Sequence, residues 1–186
     1  AAAATSVDVV QPILDAVDGY VVCANKNCPS QTVIGGSSPA VKAVVEKLKE
    51  AGIDVMLLPV SHAFHTRVVA TASEPLKSHL QKMVISKPSL PILSNVTGDY
   101  YPDSVAEIVD LLSQQVAAPV EYIAEINKMY RDGVRTFVEI GPKRAQTGFV
   151  SSILGTEPHL ACYTNHPKLG GHTTLRRAVA QLIAAG

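Results

Sequence analysis

An apolar run that ends in a pair of histidines constrains the fold more than any other stretch of this chain. Residues 54–60 are nearly all apolar, which is typical of a strand buried on both faces, and Pro59 limits how far that strand can pair. In residues 67–83 apolar side chains recur every three or four positions, which predicts a half-buried helix. His62 and His65 lie between these two segments. They are predicted to occupy a strand-to-helix turn, where side chains can be exposed on a rigid base.

Three interpretations of the two histidines are open at this point. A metal site needs three or four ligands, and no cysteine or carboxylate cluster lies near His62 and His65 in the sequence. The second interpretation is one packed and one exposed histidine with no function. The third is a general base, because neutral imidazole titrates near working pH and accepts protons in acyl transfer. A general base requires a nucleophile elsewhere.

Composition excludes several classes of partner. The chain has 186 residues, of which 47% are hydrophobic and 17% are charged, so it can bury a sizeable core. Sixteen basic residues balance sixteen acidic ones without a basic cluster, so neither nucleic acid nor a membrane is expected as a partner. No run of about 18 apolar residues predicts a membrane span. The three cysteines are odd in number, which favours reduced thiols and a cytoplasmic location.

The first sixty residues alternate between helix and strand patterns. The patterns predict a helix over residues 6–17, strands over 20–24 and 31–34 joined by a turn, a helix from 37 or 38 to Gly52, and a strand over 53–60. This is the order of a ferredoxin-like βαββαβ unit without its first strand. Residues 1–5 are interpreted as the remnant of that strand, so we expect the sequence to be truncated.

Downstream of the histidines, strand and helix patterns continue to alternate. Strands are predicted over residues 91–96, 134–140 and 159–163, and helices over 103–115, 120–131, 144–154 and 173–185. In the last helix, Leu175, Val179 and Leu182 are predicted to face inward, and residues 164–172 resemble a linker. The alternation predicts parallel strands with helices on the faces of the sheet.

Four stretches occur here in the order found in one protein family. They are Ala24-Asn25-Lys26-Asn27-Cys28-Pro29 with Val33-Ile34-Gly35-Gly36, Leu58-Pro59-Val60-Ser61-His62-Ala63-Phe64-His65, Gln115-Val116-Ala117-Ala118-Pro119-Val120, and Val138-Glu139-Ile140-Gly141-Pro142-Lys143. On these stretches the chain resembles the acyltransferases that load malonyl units onto acyl carrier protein in fatty-acid and polyketide synthesis. Residues 163–168 resemble acyltransferase domains of large iterative polyketide or polyunsaturated fatty-acid synthases.

The resemblance implies an α/β fold with two parts. Residues 1–61 would form a ferredoxin-like small subdomain with an incomplete first strand, and residues 62–186 the C-terminal part of an α/β-hydrolase-like acyltransferase core. The family's nucleophilic serine lies in a Gly-His-Ser-x-Gly elbow, and this chain has no Gly-x-Ser-x-Gly motif. The family's oxyanion segment and carboxylate-binding arginine are also missing. We therefore expect the N-terminal part of the same acyltransferase to be a partner that carries the serine.

The resemblance also implies a mechanism. A malonyl group would pass from coenzyme A to the phosphopantetheine of acyl carrier protein by a ping-pong route, with no permanently bound cofactor and no metal. His65 matches the catalytic base. Gln115 matches the residue that orients this base, and its alternative is an exposed residue of the last helical turn.

Four further residues match positions around the family's substrate. His62 would be a pocket residue. Phe64 would favour malonyl over methylmalonyl units, because a large ring beside the acyl α-carbon leaves little room for a branch; plain packing is its alternative. Asn27 and Asn25 match positions that line the substrate channel, and turn formation is the alternative for both.

Two other function classes compete with a complete enzyme. One is a catalytically inert module that docks a carrier protein, and the other is a hydrolase fragment with the same base. The missing serine favours the docking module for this polypeptide alone. His65 and Gln115 together favour an acyltransferase once its other half is present.

Overall fold

The computed structural model describes residues 1–186 and has a mixed α/β architecture. It divides into two compact units, Ala1–Glu125 and Ile126–Gly186. The family resemblance implies a different boundary, after Ser61, between two subdomains. That boundary stays a prediction. None of the helices combines the length and apolarity that a membrane span needs.

The first unit opens with a four-stranded antiparallel sheet and two helices. The elements are β1 (Ala2–Ala3), α1 (Val7–Asp15), β2 (Val21–Cys28), β3 (Gln31–Gly36), α2 (Ser38–Glu50) and β4 (Val55–Met56). The strand order is β2-β3-β1-β4. Residues 1–5, where part of a first strand was expected, contain β1, which pairs with both β3 and β4.

Both helices bury one apolar stripe against the sheet. Val10 and Leu14 of α1 and Val44 and Leu48 of α2 are four residues apart, so each pair lies on one helix face, and all four join Ile34 of β3 in the core. Burying each such side chain contributes about 1.5–3 kcal/mol relative to leaving it exposed. The core of this unit therefore lies between the two helices and one face of the sheet.

The predicted turn over residues 25–30 is wrong, because most of it belongs to β2. Asn25 and Asn27 lie in that strand, and only Pro29 and Ser30 connect it to β3. The β2–β3 register shifts between Cys23 and Asn25 and again between Lys26 and Cys28. Irregularities of this kind absorb extra residues into a strand, which lets a polar, turn-like sequence remain paired.

The predicted buried strand over residues 53–60 is also wrong in length and burial. Only Val55 and Met56 pair, and Met56, Leu57 and Val60 are exposed by 55–63%. The physical reason is that β4 pairs with β1, which offers only two residues, and that Pro59 has no N–H for a ladder.

The histidine turn leads into two short helices rather than the one helix predicted over residues 67–83. A 3₁₀ helix spans Arg67–Ala72, and α3 spans Ser73–Leu80. Pro75 explains the break, because a proline ring inside a continuous helix would clash with the carbonyl four residues earlier. In the first turn of α3 that clash does not arise.

The rest of the first unit contains a small hairpin and α4. β5 (Leu93–Ser94) pairs antiparallel with β6 (Asp99–Tyr100), and α4 spans Val105–Gln114. The long strand predicted over residues 91–96 is therefore wrong, since the chain turns back after two paired residues. The helix predicted over 120–131 is present as α5, Tyr122–Arg131.

The second unit is built on two parallel strands. β7 (Thr136–Glu139) pairs with β8 (Leu160–Tyr163), with α6 (Ala145–Leu154) between them in the chain, and α7 (Gly171–Ala185) follows. Here the predicted parallel pairing is confirmed. The Thr164 hydroxyl donates to the Glu139 carbonyl oxygen at 3.1 Å, so the predicted linker is tied to the sheet at its start.

The inward face predicted for the last helix is wrong for two of its three residues. Leu175 and Val179 are 49% and 46% exposed, whereas Thr174 and Ala178 are buried. Thr174 and Ala178 are four residues apart and small, so this face of α7 can lie close to the neighbouring backbone. The Thr174 hydroxyl also donates to the carbonyl oxygen of Thr164 at 3.0 Å. Leu182 continues this face and is half-buried.

Candidate active site

The turn that holds His65 has an unusual backbone conformation. His65 adopts φ of 60°, in the left-handed region that few residues other than glycine occupy. Such a conformation costs about 1–3 kcal/mol and persists only where its surroundings hold it. Here the His65 N–H donates to the Val116 carbonyl oxygen at 2.9 Å, and the Thr66 hydroxyl donates to the Ala63 carbonyl oxygen at 2.6 Å. Strained backbone that is held by its surroundings is typical of functional turns.

The imidazole of His65 is oriented by a backbone carbonyl. Its Nδ1 lies 3.1 Å from the carbonyl oxygen of Gln115. A carbonyl oxygen can only accept a hydrogen bond, so Nδ1 carries the proton and Nε2 keeps its lone pair. His65 is half-buried and its basic nitrogen is unengaged, which is the state a general base needs.

Gln115 presents this carbonyl because it follows the last residue of α4. The final carbonyls of a helix have no partner within the helix, so they are free to accept other hydrogen bonds. The Gln115 residue is half-buried, not an exposed residue of the last turn. The structure therefore brings Gln115 and His65 together through the main chain and not through the amide side chain.

A hydrogen-bonded connection to β2 fixes the segment after Gln115. The Lys26 N–H donates to the Val120 carbonyl oxygen at 2.9 Å, and the Val120 N–H donates to the Ala24 carbonyl oxygen at 2.9 Å. The Lys26 ammonium also pairs with the Glu121 carboxylate at 2.7 Å. Sequence reasoning missed this pair, because its members are 95 residues apart and neither residue has a local pattern that signals the other.

A groove of about 330 Å³ runs beside His65. Its walls come from β2, β3, α2 and residues 57–65, all within the first unit. Among the predicted site residues, Asn25, His62, Phe64 and His65 line it. This volume lies at the lower end of the range typical of small-molecule sites.

Gly35 allows the histidine turn to approach the sheet. A Cβ atom at this position would lie 2.7 Å from Cγ2 of Thr66, whose side chain is buried. Only glycine therefore fits under Thr66 without displacing it. The Gly-Gly end of β3 thus sets the floor of the groove.

His62 and Phe64 lie at the exposed side of the groove. Their ring centroids are 6.3 Å apart at a tilt of 58°, and Phe64 is 54% exposed. The Nδ1 atom of His62 lies 2.9 Å from the hydroxyl oxygen of its neighbour Ser61. Phe64 also lines a second cavity of about 290 Å³, which His65 and Gln115 line as well.

Asn27 is the predicted substrate-binding residue that the structure does not bring to the groove. Its amide donates to the Gln31 side-chain oxygen at 2.8 Å across the β2–β3 turn. Asn25, two residues earlier, does line the groove. The two asparagines are therefore in different surroundings, one in the groove and the other at the β2–β3 turn, although only one residue separates them in the sequence.

The cysteines offer no alternative nucleophile. All three are buried and free of disulfides. Burial raises the pKa of the Cys23 thiol to about 11 and also raises the pKa of Cys162, so both stay protonated at neutral pH. No three histidine, cysteine, aspartate or glutamate side chains converge in a way that could hold a metal ion.

Known proteins resemble this chain in sequence. A family model described as the acyl transferase domain matches residues 1–150. The chain is 33% identical over 166 residues to a polyunsaturated fatty acid synthase polypeptide of Thraustochytrium sp., covering 87% of this chain and 6% of that protein. It is 37% identical over 134 residues to malonyl CoA-acyl carrier protein transacylase of Bacillus subtilis, covering 72% of this chain and 42% of that protein.

Solved structures show the same likeness. The crystal structure of malonyl CoA-acyl carrier protein transacylase from Clostridium perfringens matches with a TM-score of 0.86 at 33% identity, covering 99% of this chain and 56% of that one. The chain spans less than half the length of the Thraustochytrium and Bacillus relatives. The resemblance drawn from the four sequence stretches is confirmed. The chain belongs to the acyl transferase domain family.

Proposed function

We propose that this chain is the C-terminal part of an acyltransferase that moves a malonyl group from coenzyme A to the phosphopantetheine of acyl carrier protein. The N-terminal part of the same acyltransferase supplies the nucleophilic serine. The observation that carries the proposal is the His65 imidazole, whose Nδ1 is held by the Gln115 carbonyl while Nε2 stays free to accept a proton.

The fold assignment belongs to the same proposal. Residues 1–61 form a ferredoxin-like small subdomain, which is supported by the order β-α-β-β-α-β and the antiparallel strand order β2-β3-β1-β4. Residues 62–186 are the C-terminal part of an α/β-hydrolase-like core, which is supported by the parallel β7–β8 pair with α6 between its strands.

The reaction runs in two half-reactions. In the first, Nε2 of His65 takes the serine proton while the serine oxygen attacks the malonyl thioester, and the protonated imidazole then gives that proton to the departing coenzyme A thiolate. In the second, Nε2 takes the proton of the phosphopantetheine thiol, whose sulfur attacks the acyl-serine ester. The proton returns to the serine oxygen. Throughout, the Nδ1–H of His65 stays donated to Gln115.

The groove residues take supporting roles. Phe64 limits the space beside the acyl α-carbon and so favours malonyl over a branched unit, within the roughly 1–3 kcal/mol that one methyl group allows. His62 and Asn25 contact the substrate from the groove wall, which is supported by their place in its lining. Asn27 acts through the β2–β3 turn, because its amide is engaged by Gln31.

The test is acyl-enzyme formation in an enzyme that contains this chain and the N-terminal part. We expect His65→Ala to slow single-turnover acylation by labelled malonyl-CoA about 10²- to 10⁴-fold while malonyl-CoA still binds. His79→Ala, at an exposed histidine of α3 outside the groove, is the matched control and should keep the full rate. An unchanged rate in His65→Ala would remove the base assignment.

A second measurement separates the proposal from its main rival. A carrier-protein docking module without catalysis would bind acyl carrier protein but form no acyl-serine after addition of the N-terminal part. Intact mass spectrometry distinguishes the two outcomes, because a malonyl ester adds a fixed mass to the polypeptide that carries the serine. The chain alone should acquire no such adduct.

A further inference from the structure

The groove beside His65 contains one uncompensated positive side chain. Lys42, in the second turn of α2, lines it, and the lining includes no other lysine or arginine and no carboxylate. The Glu46 carboxylate, one turn further along α2, is paired with Lys49 at 3.1 Å. Five other lysines of the chain form ion pairs with carboxylates, whereas Lys42 forms none.

The rest of the lining indicates the shape of the ligand. Val41, Leu57 and Leu58 supply apolar walls, and Ser38 and Asn25 supply hydrogen-bonding groups. A lysine ammonium is a compact charge that binds phosphate oxygens well. The groove therefore suits a slender arm with methyl and amide groups that ends in a phosphate, with its other end directed to His65.

We propose that Lys42 binds the phosphate of a phosphopantetheine arm. The proposal rests on the proposed function, since it names the part of the thioester that this residue holds. The same phosphate chemistry is present in coenzyme A, where it is part of a diphosphate, and in carrier protein, where it is a phosphodiester to serine. Lys42 is a binding residue and takes no part in proton transfer.

The first test needs no catalysis. The binding of 4′-phosphopantetheine and of pantetheine to the whole chain is measured by isothermal titration calorimetry. We expect Lys42→Ala to weaken phosphopantetheine binding about three- to tenfold, the effect of losing one partly exposed charged contact, and to leave pantetheine binding unchanged. Lys42→Arg should bind nearly as well as the unaltered chain.

Lys47→Ala is the matched control. Lys47 lies on the same helix, carries the same charge and does not line the groove, so its removal should leave both affinities unchanged. Equal weakening by Lys42→Ala and Lys47→Ala would overturn the proposal. So would phosphopantetheine binding no tighter than pantetheine to the unaltered chain, including the case in which neither binds measurably.

The second test distinguishes the two sources of the phosphate. In the enzyme with its N-terminal part, Lys42→Ala should raise KM for malonyl-CoA or for carrier protein severalfold with kcat nearly unchanged, and the affected substrate identifies the source. The KM for malonyl-pantetheine, which lacks phosphate, should not change. An equal rise for malonyl-pantetheine would assign Lys42 to the malonyl carboxylate and overturn the proposal. If no malonyl transfer occurs, the proposed function fails, and the binding experiment still decides the role of Lys42.

Discussion

Glu125 of α5 has a carboxyl group in a poorly solvated place without a positive partner. It lines a cavity of about 470 Å³ in the first unit, together with Tyr101 and Gln115, and no lysine, arginine or histidine lines that cavity. Burial raises the pKa of Glu125 from its ordinary 4.5 to about 7. The folded chain therefore holds this proton at a pH where the unfolded chain has released it.

The sign of the effect on stability follows from this difference. As pH rises from about 4.5 to about 7, the unfolded state loses the proton before the folded state does, so the free energy of unfolding falls, and above pH 7 the whole penalty is present. One pKa unit corresponds to about 1.4 kcal/mol, which would give about 3.4 kcal/mol for the full difference. Because water partly reaches the carboxyl, screening reduces the expected effect to about 1–2 kcal/mol.

Glu125→Gln removes the ionisation and keeps the shape. The free energy of unfolding of the variant and of the unaltered chain is measured by urea denaturation with far-UV circular dichroism at pH 4.5 and at pH 8. The advantage of the variant over the unaltered chain should be about 1–2 kcal/mol larger at pH 8 than at pH 4.5. Glu50→Gln, at an exposed residue at the end of α2, is the control and should show no such gain. Parallel pH profiles for Glu125→Gln and the unaltered chain would refute the assignment of a buried, unpaired carboxyl.

Three further substitutions test the groove and its base. Gly35→Ala should destabilise the chain by about 1–3 kcal/mol in urea denaturation, because its Cβ would lie 2.7 Å from Thr66, whereas Gly148→Ala, in open space on α6, should not destabilise it. Phe64→Ser should raise the single-turnover acylation rate with methylmalonyl-CoA relative to malonyl-CoA, and an unchanged ratio would return Phe64 to plain packing. Gln115→Ala should slow acylation less than about tenfold, because the acceptor is a backbone carbonyl, and a loss as large as about 10²-fold would show that the amide side chain acts directly.

Local signals in the sequence located most helices to within a few residues. The helix pattern over residues 103–115 is confirmed, because α4 spans Val105–Gln114, and the Ser104 hydroxyl accepts from the Glu107 N–H. The apolar periodicity over residues 67–83 predicts a helix, and residues 67–80 are helical, but Pro75 restricts where the regular helix can start, so it begins only at Ser73. A helix depends on residues within one or two turns of each other, and their spacing can be read directly from the sequence.

Strands were predicted less well because their partners are distant in the chain. The apolar residues 53–60 have the composition of a long strand, yet β1 offers β4 only two residues to pair with. The polar residues 25–28 have the composition of a turn, yet register shifts keep them in β2. Pairing length is set by the partner strand, and no local pattern in residues 53–60 reports how long β1 is.

The candidate site shows the same division between local and distant information. The histidine-rich turn could be found from its own residues, whereas the groove also required Gly35 under Thr66 and the connection of Val120 to β2. The signal for an orienting group at position 115 was the family resemblance, which places that group four residues before Pro119. The fold shows that the group is the main-chain carbonyl at the end of α4, so the side chain at that position was an indirect indicator.

A backbone acceptor suits the role proposed for His65, that of a base whose charge changes during each half-reaction. The Gln115 carbonyl lies at the C-terminal end of α4, where the helix dipole is negative and favours a positively charged partner within the last turn. It cannot donate a hydrogen bond, so it fixes one tautomer of the neutral His65 ring, and the proposed mechanism needs the same tautomer in both half-reactions. The Val116 carbonyl also accepts from the His65 N–H at 2.9 Å. Two adjacent carbonyls therefore bind His65, one through its ring and the other through its main chain. The left-handed backbone of His65 is therefore stabilised by the same segment that orients its imidazole, and the orientation of the proposed base depends on how α4 ends.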